Sequence, residues 1–335
     1  MIFKLSYKSG KMYYYDLYMS VGNACRPAYH LALNDLRNEA YPLDWQMEYS
    51  LDTVIHLFKT KFSDFFVDIE EAVEFEAACR QVKDVKNNII SIHHFPRNIE
   101  LEKAQEEFVK RMKKRFERLD GELGGAKRVA LICNRTDSLE ELQAFLKKFW
   151  VLYPHLEIKL INIRNDEGGE GSSYTAKEYE INDSLSIEEY IFNDTVNNIT
   201  GKTADWRGNI GIWRDILKNY CNKYKQHNIE IIQNVKKENK TFVIYGAGNR
   251  CSELLNKFYN YNIKIKGIAV TDTSNNPKSI ENYEVNVIEK YNKDDTIIIS
   301  LEDRKKAELI KKTILEKGYY KVYFVNNNYA LEKAF

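Results

Sequence analysis

Residues 16–36 read DLYMSVGNACRPAYHLALNDL: a strand, a break and a helix, with one cysteine at the junction. The run from Tyr13 to Val21, rich in Tyr and Val, predicts a strand that breaks at Gly22-Asn23. Ala28, Leu31, Ala32 and Leu36 then recur at helical spacing, so a helix is expected over 24–36. Pro27 suits its first turn, where a missing N–H leaves no bond unmade. Cys25 therefore falls at or just before a helix N-terminus. There a thiolate accepts free N–H groups and feels the positive end of the dipole, which lowers a thiol pKa. A nucleophilic cysteine needs that, a histidine to take its proton and a third group to orient the histidine. A buried cysteine filling a small gap is the plain alternative on this pattern alone.

The flanking sequence continues in the same texture. Residues 51–66 predict a helix ending in Phe62, Phe65 and Phe66, and IISIHHFP (89–96) a strand stopped by Pro96. From about 99 to 120, Leu101, Ala104, Phe108, Met112, Phe116 and Leu119 form one apolar stripe, with Asn98 as N-cap and Gly121 as terminator. RVALICN (128–134) is a buried-strand pattern, a helix follows at 138–150, HLEIKLINI (155–163) is a strand, and NDEGGEGSSY (165–174) reads as a solvated connection, with a mobile lid as the alternative. A last helix is expected at 208–226, and the polar stretch IIQNVKKENK (231–240) marks the expected domain boundary. Beyond it strand and helix alternate: strands at 241–245, 263–272, 296–300 and 321–325, helices at 252–261 and 302–317. Such alternation implies a parallel sheet with crossover helices. The expected class is α/β, with one domain over 1–230 and a second over 240–335.

Composition excludes several functions. The chain has 335 residues, enough for roughly two domains. Lys plus Arg is 50 against 49 Asp plus Glu, so the basic excess of a dedicated nucleic-acid binder is missing. KRMKKRFER (110–118) is read as the solvated face of an amphipathic helix. The cysteines at 25, 79, 133, 221 and 251 are odd in number and form no CxxC, which fits a reducing compartment better than a disulfide framework. No cluster has metal-ligand spacing, so no metal is expected. No apolar run approaches a membrane span, and Lys4, Lys8 and Lys11 interrupt any leader-like stretch, so a cytoplasmic location is expected.

Histidine partners for Cys25 are few. His30 lies on the same expected helix, His56 within an amphipathic one, and His155 and His227 at element ends. His93 and His94 are neighbours on a strand, where side chains alternate, so one of the two can face a cleft.

The run from Asp16 to Trp45 resembles a bacterial family of unknown function described as papain-like cysteine peptidases. Gly22, Cys25 at the helix start, the Pro42-Leu43-Asp44-Trp45 signature and the His93-His94-Phe95 step carry the resemblance, with ALICN before Arg135 and DWRGNIGIW (205–213) as weaker agreements. It covers about residues 13–226. It implies an α+β papain-like domain, Cys25 as nucleophile and His93 as base. The orienting group would be Asn134 or Asp137, with Asp44 as competitor, and Asn23 or the helix-start N–H groups would serve the oxyanion. The chain departs from true papain-like proteases, which carry Cys-Gly-Ser/Ala-Cys-Trp/Tyr and an upstream glutamine donor. What the resemblance implies is a thioester-forming hydrolase or acyl transferase acting on a small-molecule, peptide or glycan-linked substrate.

In the last third, strand–Gly246-Ala247-Gly248–helix is similar to the first turn of a Rossmann-type unit, where glycines let backbone approach a phosphate. Asn249 opens the helix, and Asp272 ends the second strand where a ribose-binding carboxylate belongs. Cys251 stands where the third glycine would be, which argues against a full NAD site. VIYGAGNRCSELL and GIAVTDTSNNP also resemble small Rossmann-like modules attached to enzymes of bacterial surface-polysaccharide biosynthesis. That resemblance implies a nucleotide or nucleotide-sugar ligand, and an alternative function as a nucleotide-sugar-binding protein without thiol chemistry.

Overall fold

The chain enters as two short strands, β1 (Tyr13–Tyr14) and β2 (Leu17–Ser20), in place of one strand over 13–21. Asp16 interrupts the run because its carboxylate accepts the backbone N–H groups of Lys127 and Arg128, both at 2.9 Å. The computed structural model describes residues 12–37, 39–72, 77–196, 203–238, 242–261, 263–301, 303–325 and 331–333; Lys4, Lys8 and Lys11 lie outside them. It divides into two units, Met1–Leu31 with Glu39–Asn222, and Ala32–Asn38 with Lys223–Phe335.

After β2 come α1 (Arg26–Leu33), β3 (Gln46–Met47), α2 (Leu51–Lys59), β4 (Ile69–Glu71), β5 (Cys79–Asp84) and β6 (Ile89–Pro96). Then follow α3 (Leu101–Gly125), β7 (Arg128–Cys133), α4 (Leu139–Leu152), β8 (Glu157–Asn165), β9 (Thr175–Asn182), β10 (Leu185–Phe192), α5 (Ile210–Leu217) and β11 (Tyr220–Cys221). The first unit holds a five-stranded sheet in the order β2-β7-β8-β10-β9, parallel except for β9, and an antiparallel sheet β3-β6-β5-β4. Its core joins Leu131, Leu160 and Ile187 of the parallel strands to a cluster of rings, Phe58, Phe62, Phe65, Phe108, Phe116 and Phe149.

Three expected boundaries move for local reasons. Asn98 does not cap α3, whose N-cap is Glu100, and Gly121 does not end it, because buried Leu123 continues the apolar stripe for one more turn. α4 is capped by Ser138, whose hydroxyl accepts from Glu141 N while Glu141 returns a bond to Ser138 N. The helix expected at 208–226 is split: Asn219 and Cys221 carbonyls accept from Tyr13 and Tyr15 N–H, so 220–221 pair with β1 instead.

The second unit opens with α6 (Lys223–Glu238), so most of the polar stretch 231–240 is helix and the division falls at 222–223. Its other elements are β12 (Phe242–Tyr245), α7 (Asn249–Asn260), β13 (Gly267–Val270), β14 (Ser279–Ile280), β15 (Tyr283–Val287), β16 (Thr296–Ile299), α8 (Arg304–Glu316), β17 (Val322–Val325) and β18 (Leu331–Lys333). The sheet order is β14-β15-β13-β12-β16-β17-β18, with β15, β13, β12, β16 and β17 mutually parallel and the two edge strands antiparallel. Phe242 and Ile244 face one apolar cluster, Val243 and Tyr245 another, as a sheet covered on both faces requires. Between β13 and β15 the connection carries a hairpin strand rather than a helix.

Candidate active site

Val21 N bonds Ile132 O at 2.9 Å, so the pairing of β2 with β7 runs right up to the break. The chain then turns through residues 22–25 into α1. Gly22 is required there: a Cβ would stand 2.7 Å from Pro27 Cγ and 3.0 Å from Asn134 Oδ1. The Cys25 carbonyl accepts Tyr29 N–H at 3.1 Å, which puts the thiol directly before the first helical residue. From the other sheet, β6 pairs with β3 through Gln46↔Ser91 and Met47↔Ile90 and carries His93 two residues further on. Cys25 Sγ and His93 Nε2 are 3.6 Å apart, across 68 residues of chain. The ring of Trp45 meets His93 edge-on, centroids 5.7 Å apart.

His94 points elsewhere, as strand alternation demands. Its Nδ1 lies 3.0 Å from Ser91 Oγ and 3.4 Å from Gln46 Nε2, and its ring packs on Phe108. Burial, with Arg115 and Arg111 nearby, pushes its pKa down to about 3. His30 is also out of the site. It stacks on Trp213 at 4.3 Å, with Nε2 2.8 Å from Arg207 O.

Burial also governs the pair itself. It pushes the Cys25 thiol up to about 11, the backbone N–H working against it and the charge of Asp44 adding to it. It lowers His93 below the usual imidazole value. The helix start does not give the depressed thiol pKa expected from the sequence, because desolvation outweighs the backbone N–H that favours the thiolate. At neutral pH the resting pair is thiol and imidazole, both uncharged.

The other candidates fall at varied places. Asp137 accepts from Arg135 Nε at 2.7 Å, and Arg135 in turn donates to Tyr49 O, so Asp137 holds an arginine rather than a histidine. Asp44 is buried, and its Oδ2 accepts Tyr41 N–H at 2.8 Å. Asn23 packs beside β3, its carbonyl accepting Glu48 N–H at 3.1 Å. Asn134 packs against Gly22, its Oδ1 buried and without a hydrogen bond. Among the described residues, no side chain hydrogen-bonds His93 Nδ1.

Four neighbours went unassigned in the sequence. Arg26 donates from Nη1 to Asp194 Oδ2 at 2.5 Å and from Nε to Trp206 O at 2.8 Å. Trp206 lies edge-on to Trp45 and Tyr29, at 6.2 and 5.2 Å. The DWRGN run was the available signal for this wall; Arg26 and Asp194 had none.

In the second unit, Gly246 has φ +113 and sits against Ser300, while Gly248 is the exposed N-cap of α7 with open space around it. Asn249 is the first residue of α7, and its side chain lies outside the described part. Asp272 is fully exposed and bonds Ser274 N at 3.0 Å and Ser274 Oγ at 2.5 Å, which lowers its pKa. Among the described residues no group of three His, Cys, Asp or Glu side chains is placed to hold a metal ion. No helix among them is long and apolar enough to cross a membrane.

The site thus sets a cysteine at a helix start against a histidine from a separate antiparallel sheet. The family described as "Putative papain-like cysteine peptidase (DUF1796)" matches residues 16–151, from β2 to α4. The match spans Cys25, Asp44, His93, Asn134 and Asp137 and stops short of Trp206. No curated protein and no solved structure matches the chain.

Proposed function

We propose that the first unit is a cysteine-dependent hydrolase or acyl transferase that works through a thioester on Cys25. The observation that carries this is the 3.6 Å Sγ···Nε2 approach between groups delivered by two different sheets. With both groups neutral, the thiol proton passes to His93 Nε2 as sulfur attacks the substrate carbonyl. An imidazole carrying its own proton on Nδ1 is the tautomer that can accept. Charge then develops on the carbonyl oxygen beside the helix start, where Cys25 and Arg26 offer backbone N–H groups and Pro27 offers none. Collapse expels the leaving group, which takes the proton back from His93, and leaves the acyl group on sulfur. Water gives hydrolysis, and another nucleophile gives transfer: each loses its proton to His93 as it attacks, the C–S bond breaks, and the departing Cys25 sulfur takes that proton back. Turnover of an amide, ester and thioester panel tests this: Cys25→Ala abolishes activity on whichever class is accepted. Undiminished activity in that variant would end the proposal.

A second ligand site is favoured by one observation in the other unit. The turn Gly246–Gly248 leaves β12, the strand flanked by β13 on one side and β16 on the other. This is the point where the strand order reverses, and in open parallel sheets ligands bind beyond the carboxyl ends of such strands. We propose a Rossmann-like module there that takes a nucleotide or nucleotide-sugar, and a glycan-linked acyl substrate would suit it. Calorimetry of the whole chain against nucleotides and nucleotide-sugars tests it, and silence across that panel counts against it.

A further inference from the structure

Trp206 is 52% exposed, yet it is not loosely held. Its carbonyl accepts from Arg26. The turn around it closes through Gly208 N to Asp205 O at 2.9 Å, with Gly208 at φ +71 and packed so closely on Asp194 that a Cβ would overlap its carboxylate. Asp194 is itself fixed by Asn209 N–H and Trp213 Nε1. The indole is thus presented to solvent on a rigid support. Tyr29, Trp206, Trp45 and His93 follow one another edge to face, so a continuous wall of rings leads from α1 to the base.

The charges beside this wall cancel. Arg26 pairs with Asp194, and Arg207 grips Asp205 through Nε and Nη2 at 3.0 and 2.6 Å. The wall therefore offers aromatic surface without net charge.

We propose that Trp206 and Trp45 form a specificity pocket for an uncharged, flat apolar group, an aryl ring or aromatic side chain, next to the carbonyl that Cys25 attacks. This rests on the thiol chemistry proposed above. Rings stacked on an indole bury area and gain a geometry-dependent contact, with no charge needed.

The test compares alkylation of Cys25 by iodoacetamide and by N-benzyl iodoacetamide in the whole chain, read by mass spectrometry. Each reaction forms an S–C bond, expels iodide and gives the thiol proton to His93. Cys79, also a free thiol, is the internal reference. The benzyl reagent is expected to favour Cys25 by roughly ten-fold over its effect at Cys79. Trp206→Ala should bring that ratio close to one, while Trp206→Phe keeps most of it. A wild-type ratio near one, with Cys25 labelling still slowed by His93→Gln, overturns the pocket alone. So does a folded Trp206→Ala protein that keeps the preference. If Trp206→Ala fails to fold, the wild-type ratio and Trp206→Phe decide. Labelling indifferent to His93→Gln overturns the thiol mechanism instead.

Discussion

Burial acts on Cys25 and His93 in the direction that removes charge from each, and this sets the pH behaviour of the site. His93 accepts a proton only while it is neutral, and its pKa lies below the ordinary value of about 6.5. Activity should therefore hold above that point and fall away as pH drops through the lowered His93 pKa. His93→Gln should reduce turnover by about 10²- to 10⁴-fold. In that variant the iodoacetamide rate of Cys25 should follow the bare thiolate, with a midpoint near 11, where the wild type reacts at far lower pH. His30 and His94 matter to stability instead. Both are pushed down to about 3 in the folded chain. Between that value and the unfolded 6.5 the unfolded state binds the extra protons, so stability is full above 6.5 and is lost as pH falls. The urea midpoint should decline from pH 7 to pH 5, and more shallowly in His30→Phe. An equal slope in that variant would show that burial of His30 is not what the acid limb reports.

At the scale of elements, the turn between β2 and α1 leaves no room for change. Gly22→Ala forces a methyl against the Pro27 ring and Asn134, and overpacking of this kind costs about 1–3 kcal/mol. Because α1 carries Cys25, its alkylation rate should fall by more than the stability loss accounts for. Helix α3 offers the opposite case. Gly121 and Gly124 sit inside it with nothing within 4 Å of where a Cβ would stand, so alanine meets open space. Gly121→Ala and Gly124→Ala should each raise stability by about 0.5–1 kcal/mol, seen as a higher urea midpoint. These glycines also show why α3 was hard to bound. Sequence treats glycine as a stop, but Leu123 is fully buried, and packing of that one residue carries the helix past it.

At the scale of the molecule, the chain passes between its two units three times, because residues 32–38 join the second. There Asp35, with φ 58, is buried against Lys257 at 2.5 Å, with Asn228 Nδ2 at 2.7 Å and Tyr261 OH as further donors. Burial lowers the Lys257 pKa, and Asp35 works against that shift. Lys257→Met strands a carboxylate at 0% exposure and should cost about 3–5 kcal/mol. Adding Asp35→Asn, which tolerates the left-handed backbone, should recover most of it in urea unfolding. A fragment ending at residue 222 should fold poorly for the same reason, since it keeps Asp35 and loses Lys257, Asn228 and Tyr261.

The strand–turn–helix around Cys25, the β6 strand with its two histidines and the alternation after 242 were all legible, because each is written in local periodicity and in glycine and proline punctuation. Sequence by itself determined that one cysteine would stand at a helix start and that one histidine of an adjacent pair could face it. Only the tertiary structure decided the rest. It brought His93 to Cys25 across two sheets, gave Asp137 to Arg135, closed an aromatic wall with Trp206 and assigned 32–38 to the second unit. It also reversed the expected thiol pKa. The physical reason is the same in each case: periodicity reports which face of an element is buried, while partners, and the desolvation that sets a pKa, depend on what packs against that face from elsewhere in the chain.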